Sequence, residues 1–308
     1  MSRVKIDTQH ILKAIKVIEN INFEYLALRN GIKPTQRSII DHGQFKGIKK
    51  IYEKNGIYIT HSDYKIKRTK KMLRAAPLHS HGGQIIFYAS KLPKLAKALK
   101  EQEDKRIKGI YSSGRKFFSM VDETIGHLLG YPQCCINFFK QNTNSPSIKL
   151  ISSAFENTKG TPSFYLNNLH AFPGSRFGAL ISHFPCSYTC NESKKYAQKV
   201  LNSICVSETE IREYIEFFLK LPVLVLNNGK TFFFNSVDMS AGSARYNFIY
   251  KSINQNHGFE KDRNYLCAYN RLENGNNIIL GKKTISVFLN DKEVGKIKNE
   301  KPLLFTFK

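Results

Sequence analysis

The sequence predicts an α/β or α+β fold, with a central cysteine-bearing α/β domain and a β-rich C-terminal portion. Three observations carry that reading. Gln84-Ile-Ile-Phe-Tyr88 has the apolar run of a buried strand and passes directly into helical spacing from Lys94 to Asp104, a strand-then-helix unit. A series of helical segments with start and stop signals then extends to Leu219. Beyond Leu221 short apolar runs alternate with turn residues, the pattern of antiparallel strands.

In chain order, residues 8–20 show helical spacing, with Ile11, Leu12, Ile15 and Ile18 on one face and Asp7 or Thr8 as cap. Residues 36–75 are basic and lack a clear period. After the strand-then-helix unit, a helix is expected from about Gly114 to Leu129. Gly130-Tyr131-Pro132 ends it, and Pro132 opens the next helix through Phe139. Residues 141–180, rich in Asn, Ser, Gly and Pro, read as loop. Asn191–Ile204 and Thr209–Leu219 read as helices, the second preceded by the capping box Ser207-x-x-Glu210. Pro222–Leu226 and Thr231–Phe234 form a hairpin turned at Asn228-Gly229. Further strands are expected at 277–280, 284–289, 293–297 and 303–307, with a turn at Asn290-Asp291-Lys292. The division into domains that follows is 1–83 (basic), 84–220 (cysteine motifs) and 221–308 (β-rich).

Charge is lopsided: 48 Lys+Arg against 24 Asp+Glu give +24. Residues 1–100 hold 21 basic and 6 acidic residues, so +15 of that excess lies at the front. A field of this size favours polyanions, whether nucleic acid, acidic lipid or phosphorylated small molecules. A Lys-, Asn- and Ile-rich composition raises the pI without any such partner. The densest basic run, Lys65-Ile-Lys-Arg-Thr-Lys-Lys-Met-Leu-Arg74, offers Lys65, Lys67, Arg68, Lys70, Lys71 and Arg74 as nucleic-acid contacts. The plainer reading is a solvated face. No stretch of 18 apolar residues predicts a transmembrane helix. Met1-Ser-Arg-Val-Lys-Ile-Asp7 lacks the apolar core of a signal peptide, so the expected location is cytoplasmic and reducing. There, clustered cysteines read as metal-binding or catalytic rather than as disulfides.

Four of the six cysteines fall in two short motifs, Leu129-Gly-Tyr-Pro-Gln-Cys-Cys-Ile-Asn-Phe-Phe139 and His183-Phe-Pro-Cys-Ser-Tyr-Thr-Cys190. Each places cysteine at a helix start, where unpaired N–H groups and the positive end of the macrodipole favour the thiolate. Thr189 and Glu192 have capping-box spacing, which makes Cys190 the first helical residue and leaves Cys186 in the turn before it. If the motifs converge, Cys134, Cys135, Cys186 and Cys190 can ligate zinc or an iron–sulfur cluster. Adjacent helical residues diverge by ~100°, which suggests that only one of Cys134 and Cys135 is a ligand. The vacant place then goes to His183 as ligand or proton carrier, or stays open for chemistry. Cys205 and Cys267 lie outside the motifs and read as core. His127, about two turns before Cys134, is a candidate acid–base group. The 141–180 loop, with Asn168 and Arg176, is a candidate cover supplying substrate contacts.

The paired motifs resemble a prokaryotic family catalogued only as a domain of unknown function. The resemblance covers roughly residues 84–205 and implies shared positions at Cys134, Cys135, His183, Cys186 and Cys190. It implies no reaction. The leading expectation is a metal- or iron–sulfur-dependent enzyme acting on an anionic substrate, nucleic acid such as tRNA first among them. Two alternatives stand beside it: a non-catalytic nucleic-acid-binding protein with a structural metal, and a thiol redox protein.

Overall fold

The computed structural model describes residues 21–68, 73–113, 120–142, 146–169, 179–204, 209–235, 237–240, 243–250 and 263–308. The fold is mixed α/β with a strand-rich C-terminal part, and its strands form antiparallel sheets. The expected helix at 8–20, the cap at Ser207, and Lys70, Lys71, Arg176 and Cys205 lie outside the described residues. Two compact units divide the chain, Phe23–Ser145 and Pro146–Lys308.

The first unit is built on a sheet of β1 (Gln36–Asp41), β2 (Tyr58–Arg68), β3 (Leu73–Pro77) and β4 (Gln84–Ser90), in the order β1-β4-β2-β3. Strand β4 pairs with β1 from Gln36↔Ala89 to Asp41↔Gln84 and with β2 on its other side. Residues 85–90 are buried throughout, because each face of this inner strand is covered. Phe87 and Ala89 pack with Leu28, Tyr52, Ile57 and Ile59, which brings α1 (Phe23–Arg29) and α2 (Phe45–Lys54) onto one face. Ile86 and Tyr88 pack with Leu99, Ile107, Ile125 and Leu129, from α3 (Pro93–Ser113), α4 (Met120–Leu128) and the residue after it. Full burial of each large apolar side chain here is worth roughly 1.5–3 kcal/mol.

The stretch that looked aperiodic, 36–75, therefore holds strands and a helix. Its period is concealed because β2 buries polar groups: Ser62 and Lys65 face inward, and the pairing with β4 slips between His61 and Lys65. Ser62 Oγ donates to Asp104 Oδ1, and Lys65 Nζ donates to Ser80 O at 2.9 Å. Between sheet and helices lies a buried charge network. Glu103, 1 % exposed, forms ion pairs with Arg37 (Nε to Oε1, 3.1 Å) and Arg106 (3.7 Å), and Arg106 Nε pairs with Asp122 at 3.1 Å.

In the second unit, α6 (Ser147–Glu156) occupies part of the segment that read as loop. Leu150, Ile151 and Ala154 are its buried face, a weak signal among the surrounding Ser and Asn. Helices α7 (Asn191–Ile204) and α8 (Thr209–Leu219) lie where their spacing placed them. The strand-rich part comprises two sheets. One is ordered β13 (Leu303–Phe305)-β5 (Val223–Val225)-β6 (Thr231–Asn235)-β9 (Phe248–Tyr250). The other is ordered β12 (Lys292–Lys298)-β11 (Thr284–Leu289)-β10 (Asn277–Leu280)-β8 (Ser243–Arg245)-β7 (Asp238–Ser240). Phe232, Phe234, Tyr246, Ile278 and Val287 share a core with Tyr265 and Leu272 of α9 (Arg263–Glu273). The β5–β6 hairpin turns at Gly229, φ 79°, and β11–β12 turns through Asn290 and Asp291, φ 48° and 67°. Two consecutive positive φ values are what a tight hairpin of this twist requires. Cys267, expected in the core, is exposed on α9, because the buried face of that helix is Tyr265, Ala268, Tyr269 and Leu272.

Glu103→Ala should lower stability by about 2 kcal/mol, read as a shift of the urea midpoint. That is below the full penalty for an orphaned buried charge, because Arg37 is partly exposed and keeps some hydration. Alkaline pH should unfold the protein. Burial pushes the Tyr250 phenol up to about 12, and it raises Tyr52, Tyr88, Tyr188, Tyr246 and Tyr269 as well. Their folded pKa values lie above the unfolded value of about 10, so the stabilisation is complete below that pH and is lost as pH rises through 12. Phenolate absorbance of these groups should appear together with loss of secondary structure, not ahead of it.

Candidate metal centre

The first cysteine pair is positioned by the turn between α4 and α5 (Gln133–Gln141). Gly130 N donates to His127 O at 2.9 Å and Tyr131 N to Gly126 O at 3.0 Å, the double bond pattern of a helix closed by a left-handed residue. Gly130 has φ 74°, and a Cβ there would lie 2.6 Å from Pro34 Cδ, so both conformation and space require glycine. Pro132, φ −60° and ψ 138°, caps α5 instead of opening it, with its carbonyl accepting from Cys135 N and Ile136 N at 2.9 and 3.0 Å. Cys134 and Cys135 are thus the second and third helical residues. Gly126 lets Ile136 approach closely: a Cβ at 126 would stand 2.9 Å from Ile136 Cγ1, which sets how near α5 lies to α4.

The second pair sits on a loop pinned at several points. Tyr188 is fully buried, and its ring packs against Phe305 and Phe307. Its N–H donates to Thr158 Oγ1 at 2.9 Å and its carbonyl accepts from Ser163 N at 2.8 Å. Asn157 Nδ2 donates to Cys186 O at 3.1 Å. Cys190 N closes a turn onto Ser187 O at 3.1 Å, and Cys190 O accepts from Lys194 N at 3.0 Å. Cys190 is therefore the cap of α7, one residue ahead of its expected place.

The four thiols form one group: the sulfurs of Cys134, Cys135, Cys186 and Cys190 all lie within 4.8 Å of one another. The vicinal sulfurs are 3.9 Å apart. The ~100° divergence of neighbouring helical residues does not separate them, because a short side chain in the first turn is free to swing its sulfur back along χ1. Cys135 and Cys190 are buried, Cys186 is half-buried and Cys134 is exposed. The donor set is all sulfur, and these four residues can hold a metal ion.

The other sequence candidates are placed as follows. His183 is 6 % exposed, with Nε2 at 2.8 Å from Ser193 Oγ of α7 and its ring edge-on to Tyr196. Asn168, 3 % exposed, donates to His183 O at 3.0 Å and accepts from Tyr188 O–H at 3.4 Å, so both ends of its amide are engaged within the protein. His127 is exposed at the end of α4. Of the basic run, Lys65 is buried on Ser80 O, Lys67 is half-buried, and Arg68 and Arg74 lie on the backbones of β2 and β3, where Arg74 pairs with Lys67. The residues that hold the second loop, Asn157, Thr158, Tyr188 and Ser193, were not foreseen. Only Tyr188 carried a signal, an aromatic inside the motif.

These features define a mixed α/β protein with a group of four close cysteines that could hold a metal ion. A family model described as "Protein of unknown function (DUF483)" matches residues 98–217, a span containing both cysteine motifs. No curated protein and no solved structure matches the chain. Among the described residues no helix is long and apolar enough to cross a membrane.

Gly130→Ala should cost at least the ~1–2 kcal/mol of a non-glycine residue in the left-handed region, with the Pro34 clash added. It should also lower metal content, because it displaces the start of α5; the checks are thermal unfolding and metal analysis on the same preparation. Asn168→Ala should cost about 2 kcal/mol by leaving a buried carbonyl and phenol unsatisfied.

Proposed function

We propose that Cys134, Cys135, Cys186 and Cys190 bind a single tetrahedral ion, zinc, as a closed thiolate site that staples the fold. The carrying observation is the mutual spacing of the sulfurs, all within 4.8 Å. Thiolates bound to one zinc at about 2.3 Å stand roughly 3.8 Å apart, close to the 3.9 Å of the vicinal pair. An iron–sulfur cluster distributes its thiolates over several metal atoms and spreads them further than one ion does. Four sulfurs also complete the tetrahedron, so no position is left for water or substrate, and a closed set of this kind is structural. This favours a non-catalytic, metal-stapled protein over a metalloenzyme. The excess of basic residues supports an anionic partner for such a protein.

The test is metal and sulfide analysis of protein purified without oxygen. One zinc per chain, no inorganic sulfide, and loss of the zinc in Cys186→Ser and Cys190→Ser are expected. Cobalt substitution should give the intense absorption of a tetrahedral thiolate complex. Stoichiometric iron with sulfide would replace zinc by a cluster and reopen the enzyme reading, and absence of any metal would reduce the group to reduced thiols. Removal of the ion by a strong chelator should lower the unfolding temperature, since the binding energy of a structural ion adds to folding stability.

A further inference from the structure

The basic run Lys65–Arg74 reads as a solvated face or, more sharply, as a nucleic-acid patch; of it, Lys65 is buried against Ser80 O and Lys67 is half-buried. An exposed basic ridge of the same unit lies on α2 (Phe45–Lys54). This helix buries Tyr52 and packs Phe45 and Ile48 inward, while Lys46, Gly47, Lys49, Lys50, Ile51, Glu53 and Lys54 are exposed. Lys49 pairs with Glu53 at 3.6 Å. Lys46, Lys50 and Lys54 form no ion pair among the described residues. At i, i+4 and i+8 they stand in one line, ~6 Å apart along the axis.

Such a line is unfavourable for the helix alone. Like charges four residues apart repel, and Gly47 is a poor helix former in a position where no packing requires it. Beside the lysines the surface is bare, since a Cβ added at Gly43 or Gly47 would meet nothing within 4 Å. Local choices that weaken an element without a packing return are expected where a ligand supplies the compensation. A row of unpaired ammonium groups next to open backbone suits a partner with closely repeated negative charge that can approach the helix surface.

We infer that the Lys46–Lys50–Lys54 ridge of α2 docks the sugar–phosphate backbone of nucleic acid, without reading its bases. A duplex offers a charge about every 1.7 Å of axis, so each lysine finds a phosphate in reach. No aromatic side chain lies on the exposed face for base stacking, and its single large apolar residue, Ile51, gives a membrane too little to bury. The inference does not rest on the identity of the metal, and the substitutions below lie away from the cysteines.

The test is fluorescence anisotropy with labelled RNA and DNA duplexes over a salt series. The proteins compared are the full chain, the triple variant Lys46→Gln, Lys50→Gln, Lys54→Gln, and an equal-charge control, Lys282→Gln, Lys283→Gln, Lys292→Gln, at exposed positions. The expected result is at least a tenfold loss of affinity in the ridge variant alone, and a slope of log K against log salt reduced by about 3. Metal content and circular dichroism of the ridge variant should be unchanged. Equal losses in ridge and control variants, no duplex binding by the unmodified chain, or ridge-dependent binding to phosphatidylserine vesicles in place of duplex would each overturn it.

Discussion

Four sulfur atoms within 4.8 Å of one another set the terms for the rest of the site. As thiolates they repel, and at this spacing the repulsion is relieved only by protons or by a cation among them. Three of the four sit at helix starts: Cys134 and Cys135 in the first turn of α5, and Cys190 at the cap of α7. A soft metal ion is the kind of cation that such a sulfur donor set can hold.

Neither cysteine pair is held by its own helix alone. Gly130 reverses the chain at the end of α4 through a conformation open to glycine, and its missing side chain makes room for Pro34. The Cys186–Cys190 loop depends on Tyr188, whose ring is inserted among Phe305 and Phe307 from the end of the chain and whose backbone is bonded to Thr158 and Ser163. His183 and Asn168 extend the same support. A residue that looked like a proton carrier is engaged by Ser193, and one that looked like a substrate contact holds a carbonyl and a phenol. Support of this kind fixes how each cysteine pair is presented.

Much of this was legible beforehand, for reasons specific to each element. Helices α7 and α8 were legible at the bounds observed, and the C-terminal hairpins through Asn228-Gly229 and Asn290-Asp291, whose chemistry suits positive φ. The cysteine motifs stood out because four of six cysteines fall in two short segments. What escaped did so because burial and polarity parted company. Strand β2 buries Ser62 and Lys65, satisfied by Asp104 and Ser80, so its inward face does not look apolar. Helix α6 buries only Leu150, Ile151 and Ala154 amid serines. The vicinal pair was misjudged by treating side chains as rigid spokes on a helical wheel, when Cys134 and Cys135 have rotatable sulfurs at a helix end. Long-range partners such as Asn157 for Cys186 leave no local trace in the chain.

The uneven burial of the sulfurs gives the centre a direction. Cys135 and Cys190 face the interior, Cys186 is intermediate, and Cys134 meets solvent. A metal ion or a thiol-directed reagent arriving from solvent would therefore meet Cys134 first.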